Sequence, residues 1–165
     1  PRGRGGITEM ADASVKVTTS TQVTHIGSGT SLAAGAVNPS SDVSVALSGT
    51  GNLGRYPRCD VALMIAPTAS IASTSTNLYL YRRDINIDGT SDEPVPATSN
   101  KQKFMGAFQC SATTTASTTQ YLQITDVPLP GAGDCEFYVE NGLGVNVPAG
   151  WTLKVTPKTD VGATT

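Results

Sequence analysis

Apolar and polar side chains alternate with a period of two along most of this chain, from about Ser41 to a closing stretch at 151–156. Val43, Val45 and Leu47 fall on one side of such a ladder, and Trp151, Leu153 and Val155 fall opposite Thr152, Lys154 and Thr156. A pleated strand sends successive side chains to opposite faces, whereas a helix returns to the same face about every 3.6 residues. The pattern therefore predicts an all-β chain that buries one face of each strand and offers no helical scaffold for catalytic groups. The expected architecture is a single β-sandwich of jelly-roll or Greek-key type, with eight or nine strands.

Strands are predicted at 14–24, 42–47, 58–66, 77–87, 101–110, 119–124, 135–140, 145–147 and 151–156, with Gly-, Pro-, Asn- and Ser-rich turns between them. One helical turn is predicted at 31–36. In the strand at 77–87 the apolar side switches from Leu78 and Leu80 to Ile85 and Ile87, which predicts a bulge near Arg82 and Arg83. The chain divides into an arm at 1–12, a sandwich at 13–157 and a tail at 158–165. The arm, PRGRGGITEMAD, carries glycine at positions 3, 5 and 6 and a cationic pair, Arg2 and Arg4. It reads either as a disordered terminus or as an arm that docks on a neighbouring subunit or an acidic surface.

Composition narrows the function. Serine and threonine total 38 residues, and glycine and proline total 27. Only 15% of residues are charged, against about a quarter in an average domain. Surface polarity therefore rests on hydroxyls and amides, as suits a body that packs against neighbours. The net charge of −2 leaves no basic face for nucleic acid. The longest apolar run, 61–66, falls far short of the roughly 20 residues of a membrane-spanning helix. A chain starting at Pro1 is what removal of an initiator methionine leaves, so synthesis in a cytoplasm is expected. Cys59, Cys110 and Cys135 are odd in number and widely spaced, and are expected to be small core residues rather than a disulfide framework or zinc site.

Several motifs invite a chemical reading. GTGNLG at 49–54 matches the glycine pattern of phosphate loops, but that chemistry needs a following helix, and strand alternation follows here. Asp84, Asn86, Asp88, Thr90 and Asp92 imitate the oxygen ligands of a calcium loop, with glycine at its sixth position, Gly89. The twelfth position is Val95 instead of glutamate, so the competing reading is a strand end with an Asp-Gly turn. His25, the sole histidine, has no partner at a recognisable spacing. Glu136 and Glu140 share a strand face and are expected to pair with Lys or Arg rather than act as glycosidase carboxylates. Trp151 is expected in the core; Tyr79, Tyr81 and Tyr121 are left free for a surface, either glycan or subunit. No nucleophile–base pair or ligand set emerges, so the chain is expected not to be an enzyme.

The stretches NLYLYRRDINIDGTSDEPVP, KFMGAF and GDCEFYVENGLGVNVPAGWTLKVTP resemble small virion structural proteins of tailed bacteriophages, in particular head decoration or cement proteins. The resemblance covers roughly residues 60–157. It implies a jelly-roll sandwich, a homotrimer, a place on the capsid surface after synthesis in the host cytoplasm, and the major capsid protein of the same virion as partner. It implies no catalytic residue and no cofactor. Candidate contact residues are Arg2, Arg4, Tyr79, Tyr81, Arg82 and Arg83. The alternative is a carbohydrate-binding β-sandwich stabilised by calcium in the 84–92 loop.

Overall fold

The computed structural model describes residues 16–19, 21–53, 56–131 and 133–161. The arm at 1–12, with Arg2 and Arg4, lies outside the described residues. Eight strands are present among them: β1 (Lys16–Thr19), β2 (Val23–Ile26), β3 (Arg58–Ile65), β4 (Asn77–Ile85), β5 (Phe104–Gln109), β6 (Gln120–Pro128), β7 (Asp134–Asn141) and β8 (Thr152–Val161). All pair antiparallel, in two sheets. The larger runs β1-β8-β3-β6, and β2 follows β1 along the same β8. The smaller runs β5-β4-β7.

Alternation in β3 puts Cys59, Val61, Leu63 and Ile65 inside, and β8 adds Leu153 and Val155. The small sheet answers with Leu78, Leu80, Phe108, Cys135, Phe137 and Val139 in the same apolar cluster. Burying each such side chain is worth about 1.5–3 kcal/mol, so this shared core fixes which face of every strand turns inward. Trp151 joins it, 2% exposed, and its Nε1 donates to the Thr30 carbonyl at 2.8 Å. Its ring lies so close to Gly29 that a Cβ there would meet a ring carbon at 2.0 Å.

The pairs nest along the chain. β4 pairs with β5, and β3 with β6. The segment between β2 and β3 then bridges β7 at Val37↔Glu140 and Leu47↔Cys135, and β2 pairs with β8 outside all of these.

Several boundaries differ from expectation. Instead of the single strand expected at 14–24, the described residues hold two short ones, β1 and β2. Residues 42–47 are not a strand. Pro39 opens a 3-10 turn at Ser40–Asp42, and the His25 carbonyl then captures the amides of both Ser44 and Val45. Of the expected apolar ladder only Leu47 is fully buried, while Val45 is 42% exposed. The helical turn expected at 31–36 is absent, because Leu32 bridges Val147 and Gly35, at φ +76°, turns the chain. Residues 145–147 contribute only that bridge. The irregularity near Arg82 lies in β5: Leu80 faces Gly106 and Tyr81 faces Phe104, leaving Met105 as the extra residue. β8 continues to Val161, so residues 158–161, expected to begin a tail, are strand. Lys158 can sit there because its Nζ pairs with Asp60 at 2.6 Å and Asp126 at 3.0 Å.

Candidate functional site

The outer face of the small sheet is built by Tyr79, Tyr81 and Arg83 of β4, opposite Glu140, Tyr138 and Glu136 of β7. Tyr81 Oη donates to Glu140 at 2.9 Å, and Lys101 pairs with the same carboxylate. Tyr138 Oη donates to Glu136 at 2.6 Å, and Arg83 adds a bond from its guanidinium to Glu136 at 3.0 Å. Burial, then the hydrogen bond to a carboxylate, pushes both phenols upward. Arg83 also donates to the Glu93 carbonyl and pairs with Asp92 at 3.1 Å, so it ties the 86–103 loop to the strand end. As expected from the sequence, Glu136 and Glu140 find cationic partners.

Phe104 stands at the margin of this network. Its ring is 5.9 Å from that of Tyr81 and 6.2 Å from that of Tyr79, both at tilted geometry, and the residue is 56% exposed. Tyr79 in turn lies on Gly142, where a Cβ would come within 2.5 Å of the tyrosine ring. Three aromatic rings thus form a platform that is open on the β5 side and braced by the charged network on the β7 side.

Of the candidate contact residues, Tyr79 and Tyr81 meet in this platform, although Tyr81 is only 6% exposed. Arg82 does not join them. It turns to the other side of β4, donating to Asp84 at 2.8 Å and to the Pro128 carbonyl of β6 at 2.6 Å. The Arg82 and Arg83 side chains are each 13% exposed, and both are engaged in ion pairs within the chain. Phe104 carries no signal in one strand read alone; its register opposite Tyr81 is what marks it.

Tyr121 lies on the other sheet, opposite Met64, and is 79% exposed. It borders a groove of about 180 Å³ that also touches Met64, Thr119, Pro148 and Trp151. Tyr79, Tyr81 and Tyr121 therefore do not form one surface.

In the loop read as a calcium site, the oxygens diverge. Asp84 takes Arg82 and Lys103, and Asp92 takes Arg83 and the Asn86 amide. The Asp88 carboxylate accepts from the amides of Thr90 at 3.0 Å and Ser91 at 2.6 Å, and from Ser91 Oγ at 2.8 Å. Those bonds, led by Ser91, lower its pKa to about 2. Thr90 Oγ1 bonds to Asp88 as well, and Gly89 adopts φ +90°, the geometry of an Asp-Gly turn. Among the described residues no three His, Cys, Asp or Glu side chains gather as a metal set.

In the GTGNLG stretch, the Gly49 amide already holds the Asp134 carboxylate at 3.1 Å, and a strand rather than a helix follows. The three cysteines are free and buried. Burial raises Cys110 to about 11 and Cys135 to about 12, and drives Cys59 upward too, so none is a ready thiolate.

His25 is fully buried between the sheets. Its Nδ1 lies 2.8 Å from the Val45 carbonyl, and its Nε2 accepts the Phe137 amide at 3.0 Å, 3.2 Å from the carbonyl of the same residue. That assigns Nδ1 as the protonated nitrogen. Comparison with family models, with curated proteins and with solved structures gives no match for this chain.

Proposed function

We propose that this chain is a non-enzymatic virion structural protein, a jelly-roll sandwich that decorates the outer shell of a tailed-phage head and stabilises it. The nested strand pairs support the jelly-roll reading. If β1 and β2, which follow one another along β8, count as the first strand and the bridged segment between β2 and β3 as the second, sheets ordered first-eighth-third-sixth and second-seventh-fourth-fifth lie across one core, as two interlocked Greek keys require. The observation that carries the docking role is the platform of Phe104, Tyr79 and Tyr81. An exposed aromatic ring with polar surroundings is a common mark of a protein contact. Phe104 is that ring, backed by the half-buried Tyr79 and the buried Tyr81, and the Glu136–Arg83 and Glu140–Lys101 pairs brace the sheet face behind it. A preorganised surface loses little entropy on binding. The partner in this reading is the major shell protein, the assembly is a homotrimer, and the location is the virion surface.

Cosedimentation with heads that lack the chain tests this reading. Saturable, stoichiometric binding is the expected result, and heads that pellet bare at saturating chain would contradict it. A second reading, a carbohydrate-binding sandwich, is favoured by the exposed Tyr121 beside the groove it shares with Met64, Thr119, Pro148 and Trp151. Retention on immobilised polysaccharide, lost in Tyr121→Ala, would select it instead.

A further inference from the structure

The edge of β7 that faces away from β4 is completed in an unusual way. Asn141 exchanges backbone bonds with Ala36 and Gly35, and Cys135 exchanges both of its bonds with Leu47. Between them the chain leaves the sheet through the 3-10 turn; the Val139 carbonyl still takes the Asn38 amide at 3.1 Å, but the amides of Val139 and Phe137 are met by side chains. Asn38 meets the first: its Oδ1 accepts the Val139 amide at 2.7 Å. The His25 ring, reaching across from β2 in the large sheet, meets the second, at Phe137. The same residue holds the detour from both ends of its own structure, since its carbonyl accepts from Ser44 and Val45 and its Nδ1–H bonds the Val45 carbonyl.

We propose that His25 is an acid-operated latch: protonation of Nε2 removes the acceptor of the Phe137 amide and releases residues 39–46 from β7 while the two sheets persist. A protonated ring has two donors and no acceptor, so the Phe137 N–H would face an N–H. Among the described residues, the one acceptor near the new N–H is the Phe137 carbonyl, 3.2 Å from Nε2, and no unoccupied carboxylate stands beside the cation. Glu136 in β7 attracts it, but its carboxylate is occupied by Arg83 and Tyr138. Cys135 in β7 is a neutral thiol, and Asp42 in the 3-10 turn accepts from Thr30 at 3.1 Å. From β8, Lys154 sits opposite Thr24, on the strand face away from the ring. Burial accordingly lowers the pKa of His25 from its usual value, despite the backbone carbonyls and Glu136 that act to raise it. Apart from His25, the detour is held by short-range backbone bonds from Asp42 to Pro39 and Val43 to Ser40. Single side-chain bonds add to these, Asn38 to the Pro39 carbonyl, Thr30 to Asp42, the Gly27 amide to Ser44 and Asn52 to the Ala46 carbonyl, none of which reaches β7.

The sign follows from linkage. The open form binds a proton near the ordinary histidine pKa of about 6.5 and the closed form does not, so opening grows about tenfold per pH unit below that value. Native-state hydrogen exchange of the whole chain reads it. The Ser44, Val45 and Phe137 amides should open with weak urea dependence, about thirtyfold more readily at pH 5.0 than at pH 7.5 after correction for intrinsic rates. His25→Gln, which keeps a donor and an acceptor but does not titrate, should abolish that acid dependence. Opening of these amides only with the steep urea dependence of β3 and β8, or acid dependence that survives in His25→Gln, would overturn the latch. Should the variant not fold, the wild-type imidazole decides the matter, because it gives one histidine resonance. A ring that takes up its proton near pH 6.5 while those amides stay protected overturns the proposal; a ring that titrates only with their opening supports it.

Discussion

Along one edge of β7, eight residues from Asp134 to Asn141 register without interruption against β4. Along the other, backbone pairing runs in from Asn141 only as far as the Asn38 amide on the Val139 carbonyl and resumes at Cys135, and the buried side chains of Asn38 and His25 take the amides of Val139 and Phe137. Both edges satisfy their polar groups, as burial demands. They differ in what can undo them. A backbone rung is indifferent to the side chain beside it and to pH in the physiological range. A side-chain rung depends on one residue and, at His25, on its protonation state.

Mutations can break or sharpen this contrast. On the continuous edge, Leu80→Ala should remove about 2–5 kcal/mol, through lost burial and the cavity left behind. Urea unfolding should stay cooperative, because the rungs themselves survive. On the interrupted edge, His25→Leu keeps apolar bulk but orphans the Phe137 amide and the Val45 carbonyl, for an expected loss on the order of 3 kcal/mol. A cost near zero would mean that water or a local shift can replace the ring.

Acid is next in size. His25 is depressed in the folded chain, so its contribution is fully present above the unfolded value of about 6.5 and lost as pH falls below it, at up to about 1.4 kcal/mol per pH unit. Urea midpoints measured at pH 7 and 5 should therefore fall for the wild type and hold level for His25→Gln. The lowered carboxylates, Asp88, Asp126 and Asp134, lose their contribution only below about pH 4, which keeps the two regimes apart. Asn38→Ala, which orphans one amide without a charge change, should cost about 1–3 kcal/mol and show no pH dependence. Phe104→Ala should be the mildest for stability, within about 1 kcal/mol for an exposed ring, yet should weaken shell binding most. Equal binding by that variant would separate the platform from the proposed role.

The sequence made some of this plain and hid the rest for physical reasons. β3 and the first part of β8 were legible because Cys59, Val61, Leu63 and Ile65, and then Leu153 and Val155, alternate and are all buried. The same alternation at Val43, Val45 and Leu47 misled, since the detour is imposed by a carbonyl some 20 positions away in β2. The far end of β8 was hidden by Pro157 and Lys158, whose charge is compensated by Asp60 and Asp126 on neighbouring strands. Tyr79 and Tyr81 were legible as a pair on β4, but Phe104 joins them only through cross-strand register. Arg82 and Arg83 looked alike and adjacent, and period two sent them to opposite faces with different partners. The lone histidine gave no spacing signal at all, because both of its partners are backbone groups.

The proposed role stands most directly on a reconstruction of phage heads, first lacking the chain and then saturated with it. Symmetric density on the outer shell, with the β4–β5 face against the shell and missing for Phe104→Ala, is the expected result. Heads that stay bare at saturating wild-type chain, or density bound equally well by Phe104→Ala through another face, would contradict it.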